Sequence, residues 1–247
     1  MICPKCAHEQ PDGYGECLLC GVIFAKVSHK AGFYHGHPGK DDTSMDSFPE
    51  ETLSGLLFSV KPDTDPVTLG MKVMLLAVLV AWGCKLFFTP IGEAGNTILH
   101  FVNLPFHEAG HIFFRPFGEF MTVLGGSIFQ LIMPLLCAGA LLFKTRDPFG
   151  ASVALWWFGE NFIDMAPYIN DARALELTLL GGVTGRDVPG IHDWENILGT
   201  LGLLEYDHAL AHGAEWLGFL VMFAACAWAG YVLFKGYAVL RSRRDLE

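Results

Sequence analysis

The segment FHEAGHIFF, residues 106–114, sets two histidines and a glutamate in an otherwise apolar run. His107 and His111 are four residues apart, so on a helix both imidazoles leave one face about a turn from each other and can grip a single ion. Glu108 follows the first histidine directly, where a carboxylate reaches the outer sphere of that ion and can accept a proton from water. Ala109 and Gly110 keep the surface between the histidines small. Two ligands and a general base are the parts of metal-assisted hydrolysis. A charged side chain at bilayer depth costs about 2.5–3.5 kcal/mol on insertion scales, so Glu108 needs a compensating partner or a water-filled cavity. Without a metal, the same three residues read as a polar cluster that ties helices together.

A hydrolytic metal centre takes a third protein ligand and keeps one position open. The best source is a second apolar run with polar residues in it, WWFGENFIDMAPYINDAR. Asp164 and Asp171 are seven apart and share a helix face, and Pro167 between them is expected to break or kink that helix. Irregular backbone at membrane depth is tolerated only where it lines protein or water, which suits a site. Asp171, just past PYIN, is the first choice for the third ligand, and Asp164 is its rival. His192 and Asp193, in a polar loop after GGVTGRDVPG, carry two readings. They ligate or orient a ligand, or HDWEN is simply a helix start with its cap. His208 and His212 repeat the four-residue spacing without a glutamate in the motif place, and are expected at the surface.

HEAGH in a membrane span, followed by a later span with Asn161, Pro167 and Asp171, resembles the site-2 protease class of intramembrane zinc metalloproteases. That resemblance implies zinc on His107, His111 and Asp171, with Glu108 activating water to cut a peptide bond within or near the bilayer. FGEFMTVLGGSIFQLIMP, with its Gly-Gly pair and Gln130, is similar to the loop or hairpin that dips toward such a site. In that class a glycine usually follows the aspartate, whereas Ala172 stands here. HEAGHIFF, YINDARALEL and HDWENILGTLGLL together are also similar to a group of bacterial membrane proteins, a likeness that covers roughly residues 97–205 and supplies no substrate.

The elements that must position these residues are apolar helices. Of the 247 residues 52% are hydrophobic and 17% charged, far from a typical soluble domain. The apolar residues come in blocks of about the 20 that a helix needs to cross a bilayer. Residues 73–91, 120–143 and 216–234 are such blocks, and 97–114 and 150–169 are comparably long but carry polar groups. The expected fold is mostly α, a multispanning α-helical membrane protein with about four to six membrane segments and a small N-terminal zinc ribbon. A net charge of −10 excludes nucleic acid as a partner, since phosphate neutralisation needs clustered Lys and Arg.

Four of the seven cysteines form CPKC and CLLC at Cys3, Cys6, Cys17 and Cys20. Each Cys-x-x-Cys knuckle points two thiolates at one ion, and two knuckles complete a tetrahedral sulfur site suited to zinc. Two disulfides are the alternative and need an oxidising compartment. So short a segment cannot bury a useful core, so metal supplies much of its folding free energy. Residues 1–27 resemble a zinc-ribbon module. Residues 28–66 read as a flexible linker, with His29, His35 and His37 in its polar stretch and a short interfacial helix expected in ETLSGLLFSV. Residues 67–247 form the membrane-embedded core. Cys84, Cys137 and Cys226 fall one to a span and read as packing.

The implied cofactors are two Zn2+ ions, one structural in the ribbon and one in the core. The implied partners are the lipid bilayer, a membrane-protein substrate for the core and a protein partner for the ribbon. Thiolate ligation places the amino terminus on the reducing, cytoplasmic side of what the bacterial likeness makes an inner membrane. The competing reading is a membrane scaffold that binds metal without turnover and uses the ribbon to recruit a partner.

Overall fold

The computed structural model describes residues 53–60, 65–95 and 97–244, and every regular element among them is helical. Cys3, Cys6, Cys17, Cys20, His29, His35 and His37 lie outside the described residues. The helices are α1 (Leu53–Leu57), α2 (Pro66–Phe87), α3 (Ile98–Phe114), α4 (Glu119–Gly139), α5 (Pro148–Asn170), α6 (Asp193–Leu201) and α7 (Asp207–Arg244).

Three helical stretches are long and apolar enough to cross a membrane: Pro66–Phe87, Glu119–Lys144 and Leu204–Arg243. On α2, Val67, Met71, Met74 and Val78 are more than half exposed, and Leu220, Phe223 and Phe234 do the same on α7. Apolar surface on this scale is compatible with a place in a lipid bilayer. α2 begins at Pro66 rather than near residue 73, because Asp65 caps it. The Asp65 carboxylate accepts the Val67 and Thr68 amides, both at 2.9 Å, and Pro66 fills the first helical position, where its missing N–H costs nothing. α7 likewise runs past the expected 216–234 in both directions.

α5 is the central helix, with most of its length buried. It crosses α7 at a pair of glycines: a Cβ on Gly159 would lie 2.8 Å from the Gly218 carbonyl oxygen, and one on Gly218 2.6 Å from that of Gly159. Small residues at such a crossing let two backbones approach, the usual means of helix association in lipid. Pro167 does not break α5, which runs on to Asn170. The proline sits in the last turn, where a lost amide disturbs few remaining bonds. α3 and α4 form a hairpin through a turn at Arg115–Phe117 and Gly118, whose φ of 98° suits glycine. They meet so closely that a Cβ on Gly110 would overlap the Gly125 carbonyl. The short helix expected in ETLSGLLFSV is α1. It packs Leu56 against Leu142 and Ala151, and the Leu57 carbonyl accepts the Trp228 indole N–H at 2.8 Å.

Candidate metal centre

On α3 the polar residues His100, Asn103, His107 and His111 follow at intervals of three, four and four, so they form one stripe along the helix. α5 faces it with Trp157, Glu160, Asp164 and Tyr168, again at helical spacing. α4 inserts Gln130 between the two stripes. The side chains meet in a network, and His100, His107, His111, Gln130, Asp164 and Tyr168 line part of a cavity of about 550 Å3.

At one end of this network His107 Nε2 lies 2.9 Å from Asp193 Oδ2, and His111 Nε2 lies 3.4 Å from the same oxygen. One donor atom from each of the three residues falls within 4.8 Å of the other two. The outer nitrogens are held from behind: His107 Nδ1 is 3.1 Å from Gln130 Oε1, and His111 Nδ1 is 2.8 Å from the Thr122 carbonyl oxygen. Both acceptors are oxygens that take an N–H, so each Nδ1 carries its proton and each Nε2 faces Asp193. Metal-binding histidines are oriented in this way, with the outer N–H tied to a carbonyl, carboxylate or water.

A glycine leaves room for the arrangement. A Cβ on Gly126 would stand 2.7 Å from His107 Nε2 and 2.8 Å from His111 Nε2, directly against the nitrogens that face the aspartate. Two imidazoles and one carboxylate brought together beside a cavity are a donor set that could hold a metal ion. Glu108 is half-buried and lines the same cavity.

Asp193 is placed by local structure. His192 caps α6, its Nδ1 accepting the Glu195 amide at 3.1 Å, and Asp193 is the first residue of the helix. The Asp193 amide donates to the Tyr168 hydroxyl at 2.9 Å, which ties the start of α6 to α5. HDWEN is thus a helix start, but His192 caps it rather than Asp193, whose carboxylate turns to His107 and His111.

The structure does not bring Asp171 to this group. Its two oxygens accept the Glu176 and Leu177 amides at 3.0 and 2.9 Å, and Oδ2 lies 3.4 Å from His192 Nε2. Asp171 therefore folds the segment after α5, with one oxygen near the capping histidine. Asp164 stands further along the network. Its Oδ1 pairs with His100 Nδ1 at 3.0 Å, and its Oδ2 accepts the Asn103 and Gln130 side-chain amides, each at 3.0 Å. His208 and His212 are exposed, on α7, and take no part.

Several members of the network stand outside the expected site: His100, Asn103, Glu160, Tyr168 and the Thr122 carbonyl. Asn103 is fully buried and uses all its polar atoms, donating to Glu160 Oε2 at 3.1 Å and to Asp164 while accepting the Trp157 indole N–H at 2.8 Å. The signal for these residues is their period, since polar positions that recur every three or four residues in an apolar helix mark a face turned to protein. The chain matches no protein-family model, no curated protein and no solved structure, so its chemistry has to be read from the site.

Proposed function

We propose that the chain is an intramembrane zinc-dependent hydrolase of peptide bonds, with His107, His111 and Asp193 holding the ion and Glu108 acting as general base. The observation that carries this reading is the convergence of both Nε2 atoms on one Asp193 oxygen beside a cavity that Glu108 also lines. Zinc, when bound, supplies Lewis acidity there and brings the pKa of water down toward about 7. Glu108 takes the proton of the attacking water and can pass it to the leaving amide nitrogen. His107 and His111, fixed through Gln130 and Thr122, need no reorganisation during the reaction. A regular substrate helix keeps its backbone hydrogen-bonded and shielded, so a membrane-protein substrate has to unwind locally to present the scissile carbonyl. Under the same reading the four amino-terminal cysteines hold a second, structural zinc on the cytoplasmic side of a bacterial inner membrane, where thiolates stay reduced.

The test is zinc content and peptidase activity of the full-length protein purified in detergent. Wild type should carry about two zinc ions per chain, falling to about one in His107→Ala with His111→Ala and to about one in Cys3→Ser with Cys6→Ser. Glu108→Gln should keep its zinc and lose cleavage of unfolded or helix-destabilised membrane peptides. A histidine double variant that retains all the zinc removes the core centre. Zinc held at the histidines with no peptide cleaved by wild type leaves a metal-binding scaffold instead.

A further inference from the structure

The buried network reaches His107 through the side chain of Gln130. Its amide has a donor end and an acceptor end of nearly identical shape, and only its neighbours decide which way it faces. Asp164 settles the matter. A carboxylate oxygen only accepts, so the Gln130 Nε2 group, 3.0 Å from Asp164 Oδ2, must donate to it. Gln130 Oε1 then has to face His107 Nδ1, 3.1 Å away, and an oxygen there fixes the proton on Nδ1 and leaves Nε2 as the ligating nitrogen. Turned the other way, Gln130 would set an N–H against His107 Nδ1 and push its proton to Nε2, the atom that faces Asp193.

Asp164 is in turn held on every side. Asn103 donates to Oδ2 at 3.0 Å, His100 meets Oδ1 at 3.0 Å, and Asn103 is itself anchored by Trp157 and Glu160. We infer that Asp164 is a positioning residue for the metal centre: through Gln130 it selects the His107 tautomer that binds the ion, without touching the ion itself. The inference rests on the zinc-site reading above.

Zinc affinity of the full chain, measured by competition with a chromogenic chelator in detergent, separates the two. Outer partners of ligating histidines typically contribute 10–100-fold in metal affinity. Asp164→Ala frees Gln130 to turn and should weaken core zinc binding by about 10-fold. Asp164→Asn keeps an oxygen in place to accept from Gln130 and Asn103 and should bind within a few-fold of wild type. Adding Gln130→Glu to Asp164→Ala should restore affinity, because a carboxylate faces His107 with an acceptor whichever way it turns. A residue that merely filled space would show neither rescue. If Asp164→Ala binds like wild type, or if both rescues fail, the inference is overturned while the zinc site stands. If wild type holds no zinc at His107 and His111, the underlying reading fails first. Should Asp164→Ala alone not fold, the decision passes to its combination with Gln130→Glu, where retained zinc upholds the proposal and lost zinc overturns it.

Discussion

Gly126→Ala is the smallest change that should damage the metal centre while leaving the fold intact. The added methyl would stand 2.7 Å from His107 Nε2 and from His111 Cε1, against an ordinary contact distance of 3.4 Å or more, so the rings have to retreat by about 0.7 Å. Neither ring is free to do so, because Gln130 and the Thr122 carbonyl hold their far nitrogens at 3.1 and 2.8 Å. Sites of this kind tolerate misplacement of about 0.5 Å. Losing a single supporting partner already costs 10–100-fold in affinity. A displaced pair of ligands should therefore lose about 100-fold, near 2.8 kcal/mol at 1.4 kcal/mol per tenfold. Intrinsic propensity works the other way, since alanine favours a helix over glycine by about 0.8–1 kcal/mol. Overpacking against held rings costs about 1–3 kcal/mol, part of which the alanine preference offsets, so helix content should be retained and the thermal midpoint should fall only modestly while zinc binding collapses. Gly139→Ala, whose Cβ would meet nothing closer than 4.0 Å on Phe143, is the control for a helical glycine away from the site. Zinc titration and thermal circular dichroism on the three proteins decide it. A Gly126→Ala protein that binds zinc within about twofold of wild type would falsify the placement of the two Nε2 atoms.

Further perturbations probe the surrounding scaffold. Asn103→Leu removes the amide that Glu160 Oε2 accepts and the oxygen that the Trp157 indole N–H donates to, and should destabilise by about 1–3 kcal/mol for each, seen as a lower thermal midpoint in detergent; an unchanged midpoint refutes the network. Gly218→Val has to force α7 off α5, because even a Cβ there falls 2.6 Å from the Gly159 carbonyl oxygen, and overpacking of this sort costs about 1–3 kcal/mol. Its signature is faster proteolysis and a lower midpoint, with Gly230→Val, in open space, as the silent comparison. Asp65 is held below the usual carboxylate range, chiefly by the Thr68 hydroxyl and amide. A depressed carboxyl stabilises the fold above its unfolded-state pKa and loses that contribution as the pH falls through its folded value. Asp65→Ala should accordingly unfold more easily than wild type at neutral pH and converge with it in acid; parallel curves at all pH values would exclude the cap.

How much of this was legible in the sequence depends on the range of the contact. His107, Glu108 and His111 can be read because one helical turn joins them, and α3 needs no other element to bring two imidazoles to one face. The helices themselves are legible for the same reason, with their ends misjudged only where capping outruns hydropathy, as at Asp65 and Pro66. Asp193 is a different case: 86 residues separate it from His107, and nothing local distinguishes it from Asp171 as a ligand. What separates them is what each carboxylate already does. Asp171 is spent on the amides of Glu176 and Leu177, a turn that a sequence does not announce, whereas Asp193 at the start of α6 has its amide taken by Tyr168 and its side chain left to face α3. The capping histidine is what produces this difference. His192 satisfies the Glu195 amide that an aspartate at a helix start commonly takes, and so releases its neighbour's carboxylate to face His107 and His111.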